Sequence, residues 1–274
     1  MSGADFFASD SPINPYYGKE AINLSAAITE HNTILSAFES AGINIVQVLP
    51  PEHCQDGIYT ANWALCYGDK AILARLPNAR VAEEPYARSV LEKLGKTVLT
   101  VPGDYKYSGQ GDSLICGKYL FAGSGYRSDP EAQQFAADTF DLELIQLHTV
   151  PVLDAEGNPL INASSGWPDS LFYDLDLAIS VLREDLIGYC PEAFDETSRR
   201  KIEALPINKI TVSYEEATKG FACNLVSTGD TVIMSAYAPK YRAEIEKHGL
   251  TVIPISAHEL PKGGGYIRCV SLAI

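Results

Sequence analysis

The sequence predicts an α/β fold in which five ββαβ units close into a ring, a five-bladed pseudo-symmetric α/β propeller spanning residues 1–274 as a single domain. Three observations carry that reading. Hairpin-like segments recur along the chain, each is followed by a helical stretch and a short β-rich run, and the two chain ends supply the parts of one further unit. Units of this kind bury their apolar faces against neighbours, which a lone unit cannot do.

The hairpins are NWALCYGDKAILARL from residue 62, SLICGKYLFAGSG from 113, DLAISVLREDLIGYC from 176 and NLVSTGDTVIMSA from 224. In each, a Gly or a charged pair separates two apolar runs, the turn chemistry that an antiparallel ribbon requires. Helical spacing comes next in every unit. EEPYARSVLEKLG leads to KTVLTVP, DPEAQQFAADTF to LELIQLHTV, CPEAFDETSRRKIEAL to NKITVS, and APKYRAEIEKHG to LTVIPIS. Apolar residues at three- and four-residue intervals mark the helices, and the short β-rich runs mark strands. The fifth unit is split across the termini: RCVSLAI is expected to pair with a strand near AINLS, followed by the helix EHNTILSAFESAG and the strand INIVQVLP. No Gly/Ser linker divides the chain, so a string of modules is disfavoured. A generic sheet of alternating elements is the competing topology.

Composition narrows the function. The 274 residues carry 21 Lys and Arg against 35 Asp and Glu, a formal charge of −14, which repels nucleic acid and anionic membrane surfaces and suits a small cationic substrate. No apolar run is long enough to span a bilayer. MSGADFFASD lacks the basic and apolar regions of a secretory signal, so the expected location is cytoplasmic. The six cysteines (54, 66, 116, 190, 223 and 269) show no metal-ligand spacing, and no metal or cofactor is expected. A homo-oligomer is compatible with this composition.

Polar, turn-rich loops follow the inner strands: PPEHCQDGIYTAN, PGDYKYSGQGD, NASSGWPDSLFYDLD, SYEEATKGFACN and SAHELPKGGGYIRC. In a ring they converge at one end of the pseudo-symmetry axis, where loops on a rigid scaffold form sites. Cys269 is then expected beside Asp56, Asn62, Asp112, Asp174, Asp176 and Asn224. Several carboxylates in one pocket repel one another unless a cation enters, and a planar guanidinium matches them with bidentate contacts. A thiolate beside such a cation has its pKa lowered, so substrate binding itself generates the nucleophile. Trp63 and Trp167 read as packing anchors, and Cys54 and Cys223 as buried structural thiols.

INPYYG, DGIYTANWA, GQGDSL, GSGYRSD, the DLD of FYDLDLA, CNLVSTGDTVIM and GGGYIRC resemble, in order, the guanidino-group-modifying enzymes or penteins. These include dimethylarginine dimethylaminohydrolases, arginine deiminases and amidinotransferases on a five-bladed α/β propeller. The resemblance implies that Cys269 attacks a guanidinium carbon to give a thiouronium, that Asp56 and Asp112 bind guanidinium nitrogens, and that Asn62 is the polar residue of the TAN motif. It further implies that Arg127 pairs with a substrate carboxylate. Two positions depart from the family pattern. Asp174 stands where relatives carry the histidine of an HxD motif, with Asp176 kept, and Ser108 stands where a Glu is common. Asp174 and Asp176 as a carboxyl pair, one of His258, His53 and His148 moving in, or a different leaving group or an uncleaved ligand are the three ways to meet the first departure. The expected activity is a cysteine-dependent C–N hydrolase of a carboxylate-bearing guanidino compound. The alternatives are an amidinotransferase, or a binding protein like the ribosome-associated initiation factor that resembles this fold.

Overall fold

The computed structural model describes residues 1–18 and 20–274. Its repeating feature is a three-stranded mixed sheet, built four times. β1 (Ala64–Tyr67) and β2 (Lys70–Leu73) form an antiparallel hairpin, the chain crosses through α2 (Glu83–Lys93), and β3 (Thr97–Thr100) returns parallel to β2. α1 (Leu24–Ser40) precedes them. β4 (Ser113–Cys116), β5 (Tyr119–Gly123), α3 (Pro130–Phe140) and β6 (Glu143–Leu147) repeat the pattern. So do β7 (Ile179–Arg183), β8 (Leu186–Tyr189), α4 (Glu196–Ala204) and β9 (Asn208–Thr211), with a register shift between Val181 and Arg183. α5 (Tyr214–Gly220) is inserted next. β10 (Val226–Ser227), β11 (Thr231–Ser235), α6 (Pro239–Lys247) and β12 (Thr251–Ile255) complete the series.

Local chemistry explains the boundaries. Asn23 caps α1 by accepting from the Ala26 N–H at 3.1 Å, and Asp195 caps α4 by accepting from Ser198 at 2.7 Å. Pro130 and Pro239 open α3 and α6, where a missing N–H costs nothing. α1 buries Ala27, His31, Ile34, Leu35 and Phe38, one stripe at helical spacing. β4 and β10 pack on either side of β7, so the first strands of successive units line the middle of the molecule.

The fifth unit is where the structure departs from the expectation. Leu24 and Ser25 belong to α1, so no strand forms at AINLS. The expected strand INIVQVLP contributes one isolated parallel bridge, Ser2 with Val48. RCVSLAI is not a strand. Val270 and Ser271 donate to the carbonyls of Tyr266 and Arg268, a helical turn in place of extended chain. Gln110 holds the residues beyond that turn: its Nε2 donates to the Ala273 carbonyl at 2.8 Å, and its Oε1 accepts from the Ala273 N–H at 3.1 Å. A side-chain amide thus occupies the place of a neighbouring strand. The second unexpected element is α5, in a stretch read as a loop; Ser213 accepts from the Glu216 N–H at 3.3 Å, the cap that starts it.

Candidate active site

Cys269 is 2% exposed, and Asn224 fixes its position. The Oδ1 of Asn224 accepts from the backbone N–H groups of Tyr266, Arg268 and Cys269 at 3.0, 3.1 and 3.2 Å. Its Nδ2 lies 3.0 Å from the Cys269 sulfur and donates to it. The preceding glycines exist for clearance. A Cβ on Gly265 would sit 2.8 Å from that of Cys269 and 2.7 Å from the Tyr59 ring, and Gly264 has φ +87°, with Asn14 and the Tyr173 hydroxyl against it.

The carboxyl at the sulfur is Asp176, whose Oδ2 lies 3.3 Å from Sγ. Its Oδ1 is buried without a hydrogen-bond partner among the described residues. Burial, followed by the neighbouring Asp174 charge, pushes Asp176 up to about 8. Burial, with the Asp176 and Asp174 charges behind it, also holds the Cys269 thiol well above its ordinary range, against the opposing effect of Asn224. At neutral pH the resting pair is therefore a thiol beside a carboxylic acid.

Asp174 sits one step away from the sulfur and is surrounded by donors. Asn62 Nδ2 reaches its Oδ2 at 2.7 Å, Ser108 Oγ donates to Oδ1 at 3.0 Å, and Arg127 Nη1 approaches Oδ2 at 3.5 Å. Ser108, the second departure from the family pattern, thus serves Asp174 as a donor. Asn62 also donates to the Ser108 hydroxyl at 2.8 Å. Arg127 stacks on the Tyr173 ring, 4.0 Å from its centroid, and donates to the Ile13 carbonyl at 3.2 Å, leaving further guanidinium donors for an acidic ligand.

Asp56 and Asp112 are buried beside this group with their oxygens engaged. Asp112 accepts from Ser128 Oγ at 2.7 Å and from the Leu175 N–H at 3.0 Å, so it orients the turn that carries Asp174 and Asp176. Burial and then the Asp174 charge push Asp112 well above the usual carboxylate range. Asp56 accepts from the Tyr17 hydroxyl, and from Gln55 Nε2 at 3.0 Å. All nine residues singled out from the sequence are no more than 5% exposed. Beside them, Tyr16 packs against the Tyr173 ring and Asn14 donates to the Gly263 carbonyl at 2.9 Å.

None of the three candidate histidines is hydrogen-bonded to this group. His258 pairs with the Tyr237 hydroxyl at 2.8 Å, His148 Nδ1 with Ser124 Oγ at 3.1 Å, and His53 is a positive-φ residue (61°) near the Phe6 ring. Trp63 donates to Glu83 at 2.9 Å and Trp167 lies under the Lys106 ammonium at 4.5 Å, both packing roles. Cys54 and Cys223 are buried thiols.

Arg80 was not visible as a site residue. It is 2% exposed, donates to Asn62 Oδ1 at 2.8 Å and to the Asp56 and Tyr59 carbonyls at 3.1 Å, and pairs with buried Glu83 at 2.7 Å. It therefore sets which way the Asn62 amide points, and hence that Nδ2 faces Asp174. An Arg and a Glu three residues apart is the signal that was available, shared with countless surface pairs. Tyr17 and Ser128 lie within the family motifs INPYYG and GSGYRSD but carry no distinctive chemistry in isolation.

The profile of the family described as N,N dimethylarginine dimethylhydrolase, eukaryotic, matches residues 8–274. The chain is 30% identical over its whole length to the bifunctional arginine dihydrolase/ornithine cyclodeaminase ArgZ of Synechocystis sp., and it spans 37% of that longer protein. It is 28% identical to an N(G),N(G)-dimethylarginine dimethylaminohydrolase of Mycobacterium tuberculosis, over 100% of this chain and 84% of the other. The N-terminal domain of ArgZ, a cyanobacterial arginine dihydrolase solved as a cysteine-to-serine mutant with substrate bound, superposes with a TM-score of 0.88 at 28% identity, covering 99% and 96% of the two chains.

Proposed function

The chain belongs to the N,N dimethylarginine dimethylhydrolase family of penteins, and on that premise we propose that it hydrolyses a C–N bond of a carboxylate-bearing guanidino or amidine compound through a covalent thiouronium on Cys269. The observation that carries this reading is the 3.3 Å approach of Asp176 Oδ2 to the Cys269 sulfur inside a buried acidic pocket. A scaffold that only binds has no use for a thiol and a carboxyl of raised proton affinity in contact.

The substrate cation enters among Asp174, Asp176 and Cys269 and stabilises their anionic forms. As the cation enters, Asp176 releases its own proton to solvent; the thiol proton then passes to the Asp176 carboxylate, and Sγ bonds to the guanidinium carbon. Asp176 returns that proton to the departing amine as the C–N bond breaks, leaving the S-alkylthiouronium. A water then attacks the same carbon and gives a proton to Asp176. The tetrahedral species expels the thiolate, which recovers that proton, the remaining hydroxyl proton passes to the freed Asp176 carboxylate, and a neutral ureido product leaves. Asp174, on which Asn62, Ser108 and Arg127 converge, meets the substrate nitrogens as an acceptor. Arg127 lends its remaining donors to the substrate carboxylate. Asp112 and Asp56 hold the walls.

The test is release of ammonia, amine or urea from arginine, methylated arginines, agmatine, guanidino acids and ureido acids. A Cys269→Ser variant should release none, and intact-mass measurement on the parent should show the adduct. Absence of turnover together with no haloacetamidine labelling of Cys269 would sink the proposal. Acceleration by an added amine, with transfer to it, would convert the hydrolase into an amidinotransferase.

A further inference from the structure

A cavity of about 280 Å³ lies between α1, α2 and the terminal segment 271–274, and neither Cys269 nor Asp176 is among its lining residues. Its walls are apolar: Phe38, Val46, Leu91, Leu94 and Leu272 all line it. Two of the lining residues, Thr60 and Arg268, each carry a buried polar side-chain atom, Oγ1 and Nε, with no hydrogen-bond partner among the described residues. Thr60 is 1% exposed. No Asp or Glu side chain stands among the lining residues.

A guanidinium against an apolar wall with no salt bridge among the described residues is costly to bury, and the unpartnered Thr60 hydroxyl in the same lining adds a second unmet demand. One ligand class meets both demands and the apolar wall together. A carboxylate is singly charged and matches the guanidinium fork, and a compact hydrocarbon tail fills the remainder. We propose that this cavity binds a small apolar monocarboxylate, its head group on Arg268 and Thr60 and its tail on Val46, Leu94 and Leu272.

Arg268 also lines a second cavity, about 330 Å³, whose wall includes Asp176. A carboxylate on Arg268 therefore offsets the one cation facing Asp176 from this side. The other charged or titratable groups around Asp176 are Asp174, Cys269 and Cys223. With its cationic neighbour offset, Asp176 keeps its proton to higher pH, so the ligand slows alkylation of Cys269 near neutrality.

The proposal does not depend on the proposed reaction, and binding alone tests it. Sodium octanoate is titrated by calorimetry into the full chain, with octanol and octylamine as uncharged and cationic counterparts. Octanoate should bind, octanol roughly tenfold more weakly or less, and octylamine not at all. Arg268→Met should weaken octanoate by a similar factor. Val46→Asp, at a position 45% exposed, places a carboxylate at the mouth without disturbing the core and should weaken it too. No heat with octanoate, equal binding of octanol, or undiminished binding by folded Arg268→Met or Val46→Asp would overturn the proposal.

Discussion

Replacing Asp176 by Asn isolates the proton carrier. The side chain keeps its shape and burial, but the group 3.3 Å from Sγ can no longer take and return a proton. General acid–base catalysis by a positioned group contributes about 10²–10⁴-fold, or roughly 3–5 kcal/mol of barrier. The same carboxyl serves thiol deprotonation, amine departure and water attack, so turnover should fall toward the far end of that range. The assay is kcat for amine or ammonia release across pH 6–10, with haloacetamidine labelling of Cys269 in parallel. In the parent, labelling should rise with pH to a midpoint near the Asp176 value of about 8, because the carboxyl must be ionised to accept the thiol proton. In Asp176→Asn that limb should vanish. Asp174→Asn should instead weaken substrate binding, having lost an acceptor for three donors, and keep the limb but move it to lower pH, because the Asp174 charge no longer raises Asp176. Near-parental turnover by Asp176→Asn, with collapse on Asp174→Asn, would refute the assignment and return the role to the residue at the family's histidine position.

Asn224→Ala strands the N–H groups of Tyr266, Arg268 and Cys269, which should lower stability by about 2–5 kcal/mol in urea unfolding and abolish labelling. Gly111→Ala would bring a Cβ within 2.8 Å of Asp174 Oδ2 and closer still to Asn62 Nδ2, so KM should rise roughly tenfold with a folding cost of about 1–3 kcal/mol; an unchanged KM would mean that the Asn62–Asp174 bond is dispensable. Asp176 also leaves a stability signature. With its folded value raised to about 8 from an ordinary carboxylate value, the native state holds a proton that the unfolded chain has lost. Its contribution is complete in acid and declines as pH rises through about 4 to 8, a decline that thermal melts of Asp176→Asn should not show.

The repeating units were legible because each carries its own signal: a hairpin turn, a helix with a spaced apolar stripe, and a β-rich run. The fifth unit misled because RCVSLAI has strand composition while its neighbour is a side chain, and nothing in a strand pattern announces that Gln110 will do a strand's hydrogen bonding. α5 had a readable cap in Ser213 and Glu216 but too few residues for periodicity to speak. The singled-out site residues lie in recurring loop positions of the repeat, which is why they could be named together. Their roles were less legible. Whether Asp174 or Asp176 meets the sulfur depends on a single 3-10 turn held by the Leu175 N–H on Asp112. Arg80 was hidden because its importance comes from acceptors on the distant 56–62 stretch, joined to its local pair with Glu83.

Asn224 belongs to the loop leading into β10, yet it carries the registration of the 266–269 loop. The thiol is thereby located by the fourth sheet and not by the segment that contains it. Change at the exposed Ala273 and Ile274 can proceed without moving the nucleophile, because the position of the reaction centre is inherited from a neighbour. Position 224, by contrast, has no such freedom: a change of one atom there is transmitted to every bond made at sulfur.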